Sequence, residues 1–386
     1  PRMSARTLFV STYAPVLENG RDLRTYTVVR ALAQLGPVDV MYVSHTGQPV
    51  APQFAAAEGV ELHEVVPSRG LRRGVMYASK LAQAMPNLVA RSCSPEVLEA
   101  TERLAGAPGR GAIVAGDINA MVILMAFARR TPVIFNTHNI ESSYVPGSLR
   151  QHVQVRELAL LERRVLRRAS EAWMVSRRDV EEARRLAPGA ALRYAPNVAD
   201  VASIVPEPAR STPGDTIMMV ADFTYFPNMS GLDWLVDEVL PAVWARRPSA
   251  RLRLCGRGLD PARFAAVPQV EVQGFVERLG DAYAGAAVVA VPLTEGAGTP
   301  LKFVEALAYG VPIVATPVAA RGLDAVAGAH FRLGADALGF ADELVDLLER
   351  GDVQMVARAR ALAEAEYSVE ALARHLAPAL DGAASA

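Results

Sequence analysis

The chain has 386 residues, 51% of them hydrophobic, and a formal net charge of −1. That length exceeds one ordinary hydrophobic core, so two domains are expected. Near-neutral charge argues against a dedicated nucleic-acid binder, which would carry a basic face, and two distant cysteines, Cys93 and Cys255, offer neither a metal-ligand spacing nor a disulfide framework.

Short apolar runs alternate with amphipathic stretches almost throughout. Strands are predicted at Thr7–Thr12, Val38–Ser44, Val60–Val66, Ala112–Asp117, Val133–Asn136, Ala172–Ser176 and Leu192–Ala195. Helical patterns fall at Leu23–Leu35, Gln154–Arg168 and Arg178–Leu186. The stretch 201–215, with three prolines, a glycine and no periodicity, then marks a break between domains. A second series follows: strands at Ile217–Ala221, Arg251–Cys255, Val270–Gln273, Ala287–Leu293 and Val311–Thr316, with a helix at Gly231–Arg246. Alternation of this kind predicts an α/β fold with two doubly wound parallel sheets, where ligands sit at the C-terminal ends of strands. No apolar run is long enough to span a bilayer and no signal-peptide pattern is seen, so the cytoplasm is the expected setting.

The most informative stretch is 292–317. An apolar strand runs into a Gly-rich turn and then a helix that is predicted to open with Thr299 as N-cap and Pro300 in the first helical position. It should stop at Gly310. Backbone N–H groups around Gly298 to Leu301 and the positive end of the helix dipole make an anion site. Lys302 adds a full charge, and Glu305, three residues on, shares its face. A phosphate at the helix end with a carboxylate one turn deeper suits a nucleoside diphosphate. The alternative is a simple crossover with a solvated Lys302–Glu305 pair.

Taken together, Gly298-Thr299-Pro300-Leu301-Lys302-Phe303-Val304-Glu305-Ala306-Leu307-Ala308 and Gly310-Val311-Pro312-Ile313-Val314 carry a resemblance that covers nearly the whole chain. Supporting elements in order are Asn19-Gly20, Arg24-Thr25-Tyr26, Thr137-His138-Asn139-Ile140-Glu141, Glu162-Arg163-Arg164, Pro196-Asn197-Val198, Tyr225-Phe226-Pro227-Asn228, Cys255-Gly256-Arg257-Gly258 and Gly274-Phe275-Val276-Glu277. The chain resembles the family 4 glycosyltransferases, retaining enzymes of GT-B architecture with two Rossmann-like domains facing a cleft. It departs from their signature of two glutamates, because Ala297 stands eight residues before Glu305. In that it resembles a subgroup with Gly-Thr-x-Leu-Lys, and the departure leaves the donor sugar open.

The resemblance implies an acceptor-binding domain over 1–200, a nucleotide-sugar-binding domain over 201–366 and a final helix over 367–386, centred on Val369–Leu380, that crosses back. It implies a donor of nucleoside-diphosphate type, UDP- or GDP-linked, and no prosthetic group. Glu305 would hold the ribose diol, and Lys302 and Arg257 would neutralise the diphosphate. The backbone of Ala297, Gly298, Thr299, Pro300 and Leu301 would meet phosphate and sugar. Gly20, in the loop after the first strand, would let the backbone approach the donor phosphate. Phe275 and Val276 would line the base pocket, although a core role for Phe275 stays open. His138 would position sugar and acceptor, with Asn139, Glu141 and Asp117 on the acceptor side. The leaving diphosphate would accept the acceptor's proton on the same face. No Asp-x-Asp occurs, so no protein-held metal is implied. The acceptor is a hydroxyl of a small sugar, a natural product or a lipid-linked glycan, and the oligomeric state is open. The basic and apolar segment 69–91 reads either as a surface helix over the acceptor pocket or as a peripheral contact with an anionic membrane surface. Two other classes compete: a nucleotide-sugar 2-epimerase of the same fold, and a non-catalytic nucleotide-sugar-binding protein.

Overall fold

The structure, a computed structural model, describes residues 5–17, 19–44, 49–67, 74–76, 78–79, 94–125, 131–140, 142, 149–205, 214–296 and 298–384. Ala297, Glu141 and most of the 69–91 segment therefore lie outside the described residues. The chain divides into two compact units, Pro1–Pro196 with Leu372–Ala386, and Asn197–Ala371. Among the described residues, no helix is long and apolar enough to cross a membrane.

In the first unit, β1 (Arg6–Ser11), β2 (Val38–Val43), β3 (Val60–Val65), β4 (Arg110–Ala115), β5 (Val133–Asn136), β6 (Glu171–Met174) and β7 (Leu192–Tyr194) form one sheet. Its order is β3-β2-β1-β4-β5-β6-β7 and every pair is parallel. Helices cover both faces of such a sheet, which is why all six residues of β2 can be buried. Helix Val369–Ala384 contributes its later turns to this unit, with His375 edge-on to Tyr194 beside β7 at 6.0 Å.

In the second unit, β8 (Thr216–Val220), β9 (Arg251–Cys255), β10 (Val270–Gly274), β11 (Val288–Val291), β12 (Ile313–Ala315) and β13 (Arg332–Leu333) pair in the order β10-β9-β8-β11-β12-β13, again all parallel. Side chains alternate between faces with the period of a strand. Ile217 and Met219 join one core with Leu252, Leu254, Val288 and Ala290. Met218 joins the other with Cys255, Val289, Val291 and Ile313. In each sheet the strand order reverses once, between β1 and β4 and between β8 and β11. Loops leaving those strands are where a doubly wound sheet receives its ligand.

Two elements differ from the sequence expectation. The helix expected over Gly231–Arg246 is Phe226–Trp234 and Leu240–Arg246 joined by a π-helical stretch, Leu235–Val239. Pro241 has no N–H for a normal i−4 bond, and the preceding Leu240 N–H reaches back five residues to Leu235 O instead. The two-residue strand β13 is too short to show any period in the sequence.

Candidate functional site

The second unit builds its site where β8, β9 and β11 end. After β11 the chain turns through Gly296 and Gly298, at φ 127° and 80°, and enters helix Leu301–Tyr309. Thr299 is not its N-cap: Pro300 occupies that position and no side chain caps the helix. Thr299 is buried and spoken for, its Oγ1 and carbonyl each accepting from Asn197 Nδ2 at 3.1 Å. The helix start thus keeps an uncapped positive dipole end. Its far end closes on Gly310 at φ 69°, as expected.

Lys302 does not point into open solvent. Its Nζ donates to Asn228 Oδ1 at 2.7 Å, and Asn228 Nδ2 donates to Asp222 O at 2.8 Å. Asp222 Oδ2 in turn accepts from Arg257 Nε at 3.0 Å and Nη2 at 2.8 Å. The carboxyl of Asp222 is held below its usual range by the Arg257 and Thr224 hydrogen bonds, which outweigh the upward effect of burial. Burial pulls the Lys302 ammonium down to about 8, with Glu305 and Asp222 opposing. Burial also pushes Glu305, 8% exposed, up to about 7, against the Tyr283 hydrogen bond and the Lys302 charge. Tyr283 Oη donates to Lys302 O at 3.2 Å and lies 3.4 Å from Glu305 Oε2. A desolvated acid and base one helical turn apart are groups whose charge a ligand can set.

Close backbone approach holds these strand ends in place. A Cβ on Gly256 would stand 1.7 Å from Ala221 O, and φ is 133°. A Cβ on Gly231 would stand 2.6 Å from Pro292 O. Only glycine satisfies the first geometry. Phe275 is 68% exposed, so the core role is excluded, and Val276 is partly buried beside the second of the two cores.

The first unit collects its candidates around a small pocket lined by Ser11, Tyr13, Arg21, Asp22, Asp117 and His138. Gly20 is not in a loop but opens helix Gly20–Leu35, whose N-cap Asn19 accepts from the N–H groups of Arg21 and Asp22. Arg21 lies over the Tyr13 ring at 3.8 Å. Asp117 does not end a strand: it caps helix Ile118–Leu124, its Oδ1 accepting from Ala120 N at 2.9 Å. It also accepts from Thr12 N and Thr12 Oγ1, each at 2.9 Å, which ties the ends of β1 and β4 together at the switch point. Burial raises its pKa, with these hydrogen bonds opposing.

His138 follows β5, and neither ring nitrogen is exposed or in good hydrogen-bond geometry with the protein. Burial lowers its pKa to about 3, helped by the charges of Arg24 and Arg21, while the Gly116 backbone pulls weakly upward. The imidazole is neutral and offers one donor and one acceptor. The Asn139 side-chain oxygen is likewise buried without a partner. Behind them Arg24, 1% exposed, donates to Thr137 O, Ala195 O, Pro196 O and Asn136 Oδ1. Burial lowers Arg24 to about 9.

The structure therefore brings Lys302, Glu305, Arg257 and the Gly298–Leu301 backbone to one end of the second sheet, and Asp117, His138 and Asn139 to one end of the first. Sequence reasoning missed Asp222 and Tyr283, and gave Asn197 and Asn228 no role. Asn228 had a signal, because it opens the helix after β8 as Lys302 opens the helix after β11. Tyr13, Arg21 and Asp22 were also missed, although all follow β1 at the switch point.

Residues 214–350 match the family model described as Glycosyl transferases group 1. No curated protein matches the sequence. Among solved structures the chain is similar to Anabaena Alr3699/HepE in complex with UDP and glucose, at 16% identity and TM-score 0.69, covering 98% of this chain and 100% of that one. It is similar to sucrose-phosphate synthase (tll1590) from Thermosynechococcus elongatus at 16% identity and TM-score 0.73, covering 98% of each chain. It is also similar to S. aureus TarM at 8% identity and TM-score 0.72, covering 98% and 100%. Identities this low establish the fold alone, that of the GT-B glycosyltransferases. The family match covers the greater part of the second unit.

Proposed function

We propose that the chain is a retaining, metal-independent glycosyltransferase that moves a sugar from a nucleoside-diphosphate sugar to a hydroxyl acceptor. One observation carries this reading: the uncapped helix Leu301–Tyr309 presents a desolvated Lys302 and a desolvated Glu305 at the switch point of a sheet whose sequence matches the group 1 family. Glu305 accepts from the ribose hydroxyls. Lys302, Arg257 and the backbone from Ala297 to Leu301 neutralise the diphosphate, and Phe275 with Val276 flanks the base. A similar fold was solved with UDP and glucose, which favours a uridine donor over a guanosine one. In the first unit His138, Asn139, Asp117 and Glu141 orient the sugar and the acceptor, with Gly20 near the donor phosphate.

In the reaction the anomeric carbon–phosphate oxygen bond breaks and the acceptor oxygen bonds to the same carbon on the same face. The acceptor's proton passes to the departing phosphate oxygen. The protein's share is positioning and stabilisation of the phosphate charge as it develops. Lys302 does this well because it is desolvated, so its charge acts in a low dielectric.

The test is a thermal-shift screen of nucleoside diphosphates and their sugars with the wild type and Glu305→Ala. A shift with one diphosphate that is lost in the variant is expected. An undiminished shift in a folded variant, or no shift with any nucleotide, refutes the site. Recovery of a C2-epimerised nucleotide sugar, rather than a glycoside or free sugar, would instead support the isomerase reading.

A further inference from the structure

Helix Leu149–Leu166 has a surface that neither the donor nor the acceptor reading uses. Its inner face is apolar, with Leu161, Val165 and Leu166 each at most 6% exposed. Glu162 is also buried, accepting from Ser142 N at 3.2 Å. On the outside, Arg156, Leu160 and Arg163 recur at helical intervals and so share one face. The turn continues past the helix, Arg167 N donating to Arg163 O at 3.2 Å, which adds Arg167 to the same stripe. All four are exposed, and Arg164 beside them is exposed too. Leu160, at the centre, is 67% exposed.

Several arginines elsewhere on the surface are paired, and these are not. Arg178 pairs with Glu182, Arg193 with Glu171, Arg246 with Asp342 and Arg263 with Asp233. Among the described residues, Arg156, Arg163, Arg164 and Arg167 have no ion pair and no side-chain hydrogen bond. Residues 149–168 hold six arginines against two glutamates, one of them the buried Glu162, in a chain whose net charge is −1. Among the described residues the positive charge of this stripe has no ion-pair partner, which favours a negatively charged partner from outside the chain.

We propose that this stripe docks on an anionic lipid surface, with the guanidinium groups on headgroup phosphates and Leu160 seated between headgroups. Guanidinium forks match phosphate oxygens bidentately. A leucine within a row of arginines has an apolar place to go at a bilayer interface and none on a nucleic-acid backbone. The stripe is independent of the donor site, so its failure would leave the proposed reaction standing. It is also independent of the segment 69–91.

The experiment is co-sedimentation of the full chain with vesicles of phosphatidylglycerol mixed with phosphatidylcholine, and with phosphatidylcholine alone. The wild type should bind the anionic vesicles at low salt, ignore the neutral ones and be released as salt screens the charges. The triple variant R156Q/R163Q/R167Q should lose roughly 100-fold in partitioning, three arginines each worth about fivefold. L160S should weaken binding and leave it fully salt-sensitive. Melting temperatures of both variants should stay near the wild type, because the altered side chains are exposed. Equal binding by the wild type and the triple variant, or no preference of the wild type for anionic vesicles, would overturn the proposal.

Discussion

Glu305→Gln should make the protein more stable and less able to bind nucleotide at the same time. Burial has raised the Glu305 carboxyl from 4.5 to about 7. At about 1.4 kcal/mol for each pH unit, keeping it ionised in the fold costs roughly 3 kcal/mol above pH 7. The sign follows from linkage: the folded value lies above the unfolded one, so the contribution of this group is fully present below pH 4.5 and is lost as pH rises through 7. Glutamine has nearly the same shape, can keep the contact with Tyr283 Oη, and carries no charge to desolvate. Part of the gain is returned, because Lys302 loses the carboxylate that supports its charge, so a net gain of roughly 1–3 kcal/mol is expected at pH 8. For a unit the size of residues 197–371 that corresponds to a melting-temperature rise of roughly 2–10 °C. At pH 5 the folded carboxyl is already protonated and the gain should shrink below about 1 kcal/mol. Calorimetric scans of both proteins at pH 8 and pH 5, followed by titration with uridine diphosphate, measure both halves. A gain equal at the two pH values, or a loss of stability at pH 8, would show that Glu305 is not a strained, ligand-ready carboxylate.

Lys302→Met should weaken diphosphate binding by roughly 100-fold, as expected for loss of a desolvated charge-assisted contact, and isothermal titration would read it. With its pKa lowered to about 8, the ammonium's destabilising contribution is complete below pH 8 and relieved between 8 and 10.5, so wild-type diphosphate affinity should fall as pH passes 8 while Lys302→Met shows no such fall. Gly256→Ala should destabilise the second unit by roughly 3 kcal/mol or more, because the added carbon meets Ala221 O in a left-handed backbone; a melting temperature within a degree of the wild type would contradict this. His138 should remain neutral down to about pH 4, since burial has lowered its pKa to about 3. Its stability contribution is full above 6.5 and lost as pH falls toward 3, and nitrogen NMR of the imidazole would expose any titration near 6.

Much of this architecture is written locally. Parallel strands buried on both faces show as unbroken apolar runs, and Gly310 ends its helix as a C-terminal glycine should. Lys302 and Glu305 are legible because one helical turn separates them. Thr299 misleads for a reason the local sequence cannot hold: Thr-Pro has the form of a cap and a first turn, but Asn197, a hundred residues away, claims the threonine. The chain from Lys302 through Asn228 and Asp222 to Arg257 is equally non-local, since β8, β9 and β11 meet only after folding. Asp117 was expected to end a strand and instead caps the helix that follows, because its hydrogen bonds depend on Thr12 across the switch point. Pro241 was visible throughout, yet the five-residue hydrogen bond that accommodates it was not.

The division of the chain also bears on the order of events during synthesis. Residues 197–371 form one uninterrupted unit, whereas the first unit is completed only by Leu372 onward. Arg24, near the start, must also wait for the carbonyls of Ala195 and Pro196. A nascent chain therefore holds every part of its second unit while the first still lacks the helix that carries His375 against Tyr194. Domains usually finish in N-to-C order as they leave the ribosome. Here the later-translated unit can close first, and emergence of the stretch from Leu372 onward, not of residue 196, sets the earliest moment at which the first unit can be completed.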